Sequence, residues 1–337
     1  MNAVDFAREL IDIDSTTGRE QAAGEWLAAR LRSLGYRVGE QPVGNGRSNV
    51  IATLDRPDVV LSTHYDCVPP FFPSSIRGGR LYGRGACDAK GILAAQVAAV
   101  ERMREDGERR VGMLFVVGEE RGSDGADVAN ASPIGSRFLI NGEPTDSKLA
   151  LATRGTLRVR LRATGRACHS AAPENGISAI DKLIDALVQL RGLALPSDPD
   201  LGTTYYTVGL IDGGVAPNVV PPHASAEVMF RTVGPHEDIL TVLTALQPLV
   251  DIEEVLRVPH VRLTSWADAP METAVFPFTT DIPLLDRWGR PLLFGPGSFL
   301  MAHTAEEYLS LDELDSAIDK YVYLATACLN EASPEMP

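Results

Sequence analysis

Basic residues are in short supply in this chain: 31 Lys and Arg stand against 45 Asp and Glu across 337 residues, a formal net charge of −14. No basic stripe rises out of that acidic background, which argues against nucleic acid as a partner. Cysteine is scarcer still. Cys67, Cys87, Cys168 and Cys328 form no C-x-x-C pair, so neither a disulfide framework nor a thiolate zinc knuckle is expected. Small buried filler is their expected role, even for the three that neighbour candidate site residues. No apolar run approaches the roughly 20 residues that would span a bilayer. The first ten residues carry acids instead of an apolar signal core, so the expectation is a cytoplasmic protein without an export signal. Internal repeats and low-complexity tracts are also missing. What remains, 45% apolar and 23% charged, is an ordinary globular composition with length enough for two domains.

The first 150 residues alternate helix and strand. Thr17 to Glu20 has capping-box spacing, and Ala23, Trp26, Leu27, Leu31 and Leu34 follow at helical period up to Gly35. Strand-like runs occupy 49–54, 59–63, 111–117 and 138–140, with a helix expected from about Lys90 to Arg104. The alternation predicts an α/β fold, a mostly parallel mixed sheet sandwiched by helices, for a catalytic first part over 1–153.

The pattern changes after Thr153. A strand over 156–164 alternates Leu157, Val159 and Leu161 with Arg158, Arg160 and Arg162. A helix over 176–191 is expected to be striped by Ile177, Ile180, Leu183, Ile184 and Leu187. Strands over 203–211 and 225–232, a helix over 236–250 and a last strand near 255–263 complete the segment. That order, β-α-β-β-α-β, is the ferredoxin-like arrangement, and it predicts an inserted domain over 154–264. The chain then returns, over 265–337, to the catalytic domain. It ends in a helix opened by a Ser310–Glu313 capping box, with Leu314, Ile318, Tyr321 and Val322 on one face.

Acids and histidines stand where the apolar runs stop. His64 and Asp66 end the run from Val59. Asp88 follows a Gly-rich turn, Glu119 and Glu120 follow Val111–Gly118, Glu143 follows Phe138–Gly142, and His303 lies near the C-terminus. Parallel strands present functional groups at their carboxyl ends, and His with carboxylate is the ligand chemistry of zinc. Two zinc ions can share one carboxylate and one water. Asp88 is the natural bridge, His64 with Glu143 would complete one shell, and Glu120 with His303 the other. Asp66 is placed to accept the second imidazole N–H of His64. Glu119, turned away from Glu120, is the candidate general base. Each residue also has an ordinary explanation: a solvated Glu-Glu loop, an Asp that only caps a helix, a surface histidine. Their joint placement in one scaffold favours the dinuclear site.

The strings Ser62-Thr63-His64-Tyr65-Asp66, Leu81-Tyr82-Gly83-Arg84-Gly85 running into Asp88-Ala89-Lys90-Gly91, Gly118-Glu119-Glu120, Gly142-Glu143-Pro144-Thr145 and Ala302-His303-Thr304-Ala305-Glu306-Glu307 resemble the dizinc amidohydrolase and metallopeptidase family. Acetylornithine deacetylase, succinyl-diaminopimelate desuccinylase, aminoacylases and glutamate carboxypeptidases belong to it. The resemblance implies that His64, Asp88, Glu120, Glu143 and His303 bind two Zn2+ (Co2+ or Mn2+ as substitutes), that Glu119 is the base and that Asp66 supports a ligand. It also implies a catalytic α/β domain with a ferredoxin-like insertion. Gly165-Arg166-Ala167-Cys168-His169-Ser170 resembles the segment whose histidine stabilises the oxyanion, often from the partner subunit of a homodimer. Asn218, in Gly213–Pro221, and Arg231 resemble the pair that grips the substrate carboxylate. Gly297 and Ser298, in Gly295-Pro296-Gly297-Ser298, are candidates to offer main-chain N–H groups to substrate, although a plain turn explains them equally well.

Two stretches depart from the family pattern: the short Pro69-Pro70-Phe71-Phe72-Pro73 loop and Thr280-Asp281-Ile282-Pro283. Both bear on the substrate side chain and neither on the metal centre. His223, His236 and His260 match no motif and are expected to be solvated or capping. The expected activity is zinc-dependent hydrolysis of an N-acyl-L-amino acid, closest to acetylornithine deacetylase. A dipeptidase or glutamate carboxypeptidase-like exopeptidase is the alternative, and a catalytically silent binding protein the remote one.

Overall fold

The computed structural model describes residues 1–266 and 269–331. Residues 267–268 and 332–337, part of the expected last segment 265–337, lie outside the described residues. By internal contacts the chain forms two compact units, one of residues 1–151, 263–274 and 280–337, the other of residues 152–262 and 275–279.

The first unit opens with α1 (Ala3–Ile11), whose Asn2 side chain accepts from the Val4 and Asp5 amides. No element was expected here, although Ala3, Phe6, Ala7, Leu10 and Ile11 have the three-and-four spacing of a buried face. In α2 (Gln21–Ser33) the expected capping box is absent: Glu20 is the N-cap and makes no side-chain cap. The Thr17 hydroxyl instead donates to Asp66. Strands β1 (Arg37–Gly44), β2 (Arg47–Thr53) and β3 (Val59–His64) follow, then the short β4 (Ser75–Arg77) and β5 (Arg80–Tyr82). Next come α3 (Lys90–Glu105), β6 (Val111–Val116), α4 (Asp124–Ala131) and β7 (Phe138–Asn141). Every residue of β3, β6 and β7 is buried, as strands covered on both faces require. The helix α3 is buried nearly all round, and its Lys90 ammonium donates to the Leu10 and Ile13 carbonyls at the end of α1. A cation at a helix C-terminus is favourably placed.

The second unit contains β8 (Gly155–Thr164), α5 (Ala179–Arg191), β9 (Tyr205–Gly213), β10 (His223–Thr232), α6 (His236–Leu243) and β11 (Asp251–Val258). Its antiparallel sheet runs β9-β10-β8-β11, with both central strands in the middle. Leu157, Val159, Leu161, Ala226, Val228 and Phe230 join Leu183, Leu190, Ile239 and Leu243 in one core. On the opposite face Arg160 pairs with Glu227 at 2.6 Å and Arg162 with Glu253 at 2.6 Å. Several expected details are corrected. The helix expected over 176–191 begins only at Ala179, capped by Ser178, and buries Ala179, Leu183, Ala186 and Leu190. Ile177 and Ile184 of the expected stripe are exposed. The helix expected to reach Val250 stops at Leu243 and tightens into a 3-10 turn. His236 is buried instead of solvated.

The chain returns to the first unit with β12 (Arg290–Leu293), β13 (Tyr308–Ser310) and α7 (Leu311–Asn330), whose Ser310 caps the Glu313 amide as expected. The main sheet has the order β1-β2-β6-β3-β7-β12. Its first two pairings are antiparallel, and the β6/β3, β3/β7 and β7/β12 pairings are parallel. Helices α1, α2, α3 and α7 supply much of one large apolar core against it. Cys67, Cys87 and Cys328 are buried and free, while Cys168 is half-buried. No helix among the described residues is long and apolar enough to cross a membrane.

Candidate metal centre

Because β6, β3 and β7 are contiguous and parallel, their carboxyl ends open at one edge of the sheet. His64 is the last residue of β3. Gly118, at φ +77°, turns the chain after β6 so that Glu119 and Glu120 open a short 3-10 helix. Glu143 lies two residues beyond β7. Asp88 ends the turn that feeds α3, and His303 lies between β12 and β13 with its backbone in the left-handed region, φ +64°. That conformation is uncommon outside glycine and often marks a functional constraint.

These elements bring the acids and histidines into two triplets that share one residue. The His64 Nε2 atom lies 3.0 Å from Asp88 Oδ1 and 3.9 Å from Glu143 Oε2. His303 Nε2 lies 3.4 Å from Asp88 Oδ2 and 2.9 Å from Glu120 Oε2. Within each triplet the ligand atoms all fall within 4.8 Å of one another. Asp88 thus turns one oxygen toward each group.

Asp66 has more partners than its spacing alone predicts. The Nδ1 atom of His64 lies 3.1 Å from the Asp66 carbonyl and 3.4 Å from its Oδ1, which leaves Nε2 facing the triplet. The carboxylate also accepts from the Glu119 amide at 3.1 Å, the Glu120 amide at 3.3 Å and the Thr17 hydroxyl at 2.9 Å. One buried residue, through its carbonyl and its carboxylate, therefore sets both the ring of His64 and the turn carrying Glu119 and Glu120.

The electrostatics are those of a site built around positive charge. Burial, then the neighbouring Glu143, pushes the Glu119 carboxyl well above the usual range. Burial raises Glu143 and Glu120 as well, with Asp88 adding repulsion to each. Burial alone would lower His64, but its bonds to Asp66 and Asp88 carry it well above the ordinary histidine value. Hydrogen bonds to Asp88 and Glu120 raise His303 to about 10. Glu143 Oε1 is buried without a protein partner. Imidazole nitrogens and carboxylate oxygens, crowded and mutually repelling, suit divalent cations such as zinc, cobalt or manganese.

Two further acids went unread in the sequence. Asp281, noted only as part of a divergent loop, is fully buried, with Oδ1 unpartnered. Burial raises its carboxyl to about 6, against a hydrogen bond from Ser123, and its charge bears on Glu119 and Glu143. Glu307, in the His303 motif, is buried against the Asp88 turn, and burial followed by the Asp88 charge pushes its carboxyl up to about 7. An isolated Thr-Asp or Glu-Glu pair carries no signal for either.

Gly297 and Ser298 lie in the same unit, after β12. Gly297 sits at φ +81°, where an added Cβ would fall 2.6 Å from Cys87 Sγ, so the turn requires glycine. Its carbonyl accepts from Asp146, and Gly295 exchanges bonds with Thr145, so this turn braces the Glu143 loop. The remaining candidates belong to the second unit. His169 is exposed, and its Nδ1 accepts from the Ala171 amide at 3.0 Å, which leaves the proton on Nε2. The Ser170 amide donates to the Asn218 carbonyl at 3.0 Å, so the His169 and Asn218 segments run together. Arg231 is half-buried and donates to the Thr156 hydroxyl at 2.8 Å.

The chain is similar to known proteins along nearly its whole length. A peptidase M20 domain-containing protein of Schizosaccharomyces pombe is 36% identical over 335 residues, covering 95% of this chain and 83% of the relative. A probable carboxypeptidase of Aspergillus clavatus is 34% identical, covering 96% and 82%. Among solved structures, the aminopeptidase PepT of Bacillus cereus superposes with a TM-score of 0.83 at 20% identity, covering 97% of this chain and 98% of its own. The Bacillus subtilis YXEP protein, a dinuclear metal-binding M20 peptidase, gives 0.76 at 15%, covering 98% of each chain. Both share the α/β fold. Residues 60–327 match Peptidase family M20/M25/M40, and the chain belongs to that family of metal-dependent hydrolases.

Proposed function

We propose that the protein hydrolyses an amide bond whose amine half is an amino acid with a free α-carboxylate, the C-terminal residue of a short peptide. The observation that carries this reading is the division of Asp88 between two His–carboxylate triplets beside a recessed, unshared Glu119. His64, Asp88 and Glu143 would hold one zinc ion, and Asp88, Glu120 and His303 the other, with cobalt or manganese as substitutes. Bound there, the two ions would polarise the scissile carbonyl and lower the cost of deprotonating the attacking water.

The side chains divide the remaining work. Glu119 takes a proton from the water as its oxygen bonds to the carbonyl carbon, then delivers it to the amine nitrogen as the C–N bond breaks. Asp66 holds His64 in the tautomer that presents Nε2 and fixes the Glu119 turn through the main chain. The Nε2–H of His169, fixed by the Ala171 amide, is free to donate to the developing oxyanion. Arg231 and Asn218 are assigned to the substrate carboxylate, and the Gly297–Ser298 turn to its main-chain contacts.

The 34% identity to a probable carboxypeptidase favours the exopeptidase reading. N-acyl-L-amino acid hydrolysis is the second reading, favoured by the Gly142-Glu143-Pro144-Thr145 and His169-Ser170 strings; its scissile amide and carboxylate are chemically equivalent. We assign homodimerisation to the second unit, where α5 and the edge strand β9 leave apolar side chains uncovered, with His169 serving the partner's centre. Ile184 is 52% exposed, Val188 61%, Leu210 65% and Ile211 65%.

The test is turnover on peptides with free or amidated C-termini and on acetylated amino acids, before and after chelation. Loss of activity on chelation, restoration by zinc and rejection of the amidated peptides are expected. A protein that binds two zinc ions yet turns over none of these substrates would refute the reading.

A further inference from the structure

Glu307 is fully buried and takes part in none of the chemistry above. Its Oε1 accepts from the main-chain N–H groups of Gly85, Cys87 and Asp88, each at 3.0 Å. Its Oε2 accepts from Arg84 Nη1 at 2.5 Å, and Arg84, also buried, donates through Nε to the Pro70 carbonyl. The turn that presents Asp88 is thus a concave nest of N–H groups with one carboxylate seated in it. The bonds are charge-assisted and lie in the buried interior, where low polarity strengthens them.

The carboxylate belongs to the residue just before β13. Tyr308–Ser310 pairs antiparallel with Arg80–Tyr82, and the Gly83 amide donates to the Glu307 carbonyl at 3.3 Å. Residues 80–88 lead to Asp88, and residues 303–310 begin with His303. Glu307 is where these two segments are fastened side chain to main chain. A water molecule would satisfy the amides of such a turn, but it would not tie the turn to the segment that carries His303.

We propose that Glu307 is a positioning residue of the metal centre. By holding the Arg84–Asp88 turn against the His303 segment, it fixes Asp88 Oδ2 at the separation from His303 and Glu120 at which one divalent cation is shared. It acts through Asp88 and touches neither substrate nor reacting atoms. The inference rests on the metal reading given above.

The experiment is competitive titration of the metal-free protein with Zn2+ against a chromophoric chelator, for wild type and Glu307→Gln. The amide keeps one oxygen for the three N–H groups but turns an NH2 toward Arg84. The expected result is one ion held as in wild type and the other weakened about 10- to 100-fold, the range for lost ligand-supporting partners. With limiting zinc kcat should fall while KM holds, and excess zinc should recover kcat. A purely structural Glu307 would lower the melting temperature and leave both affinities equal to wild type, which overturns the inference. If Glu307→Gln yields no folded protein, Arg84→Gln serves: it frees Oε2 alone and should weaken the same ion in the same direction. Unchanged affinity there overturns the inference as well. Wild-type protein that binds no zinc at all would bring down the metal reading and this inference together, an outcome distinct from two ions bound equally by both proteins.

Discussion

The Thr17 hydroxyl donates to Asp66 Oδ2 at 2.9 Å, 49 residues away, although its spacing to Glu20 is that of a helix cap. Its partner is the carboxylate that also steadies His64 and the amides of Glu119 and Glu120. Thr17→Val should therefore cost about 1.5–3 kcal/mol in the metal-free protein, as loss of a bond to a charged group does, and should reduce kcat. Thr17→Ser should retain both properties. Urea unfolding and initial rates check this, and a valine variant equal to the serine variant would contradict it.

Glu119→Gln removes the proton acceptor and keeps the shape. Turnover should drop about 100- to 10,000-fold, the usual contribution of a general base, with both metal ions still bound. Steady-state rates alongside metal analysis decide the point; near-normal kcat would dismiss Glu119 as the base.

His236 gives a pH dependence to the second unit. Burial, then the nearby Arg257, lowers its pKa below the ordinary histidine value. A histidine depressed in the folded state is protonated more readily when unfolded, so its contribution holds above about pH 6.5, the unfolded value. That contribution is lost as pH falls below 6.5 toward the folded value. His236→Gln cannot titrate, so wild-type stability minus variant stability should decline between pH 7.5 and 5. A difference that stays flat over that interval would rule out the buried neutral ring.

Joint substitution of Ile184→Glu and Leu210→Glu should convert a dimer to monomers in sedimentation without unfolding either unit, since both side chains are exposed. If His169 serves the partner's centre, chains carrying Glu119→Gln and chains carrying His169→Ala should complement when co-refolded. One site per mixed dimer is then intact, about a quarter of all sites. An inactive mixture would show that each chain uses its own histidine.

The strand ends were legible because β3, β6 and β7 are buried on both faces and read as largely apolar runs, each followed by a charged or imidazole group. The arrangement of the second-unit strands was legible for a related reason: in β8 the arginines alternate with core residues. What escaped reading depended on distant partners. Thr17 satisfies every local rule for a cap and is diverted by a carboxylate that the fold brings to it. The outer face of α5 carries Ile184 and Val188 among its polar residues, so periodicity could not tell Ile184 from Leu183. Asp281 and Glu307 gain their significance from burial, which a lone acid in a sequence does not reveal.

The pairing of β7 with β12 sets a timetable for synthesis. Phe138–Asn141 waits for Arg290–Leu293, which leaves the ribosome roughly 150 residues later, about 10–30 s at ordinary elongation rates. Throughout that interval the nascent sheet has a bare, mostly apolar margin, the kind of edge on which chains stick to one another. The whole second unit emerges meanwhile. Yield in a cell therefore depends on how well that margin is shielded until roughly the last seventh of the polypeptide arrives, and truncation before Arg290 should send the product to inclusion bodies.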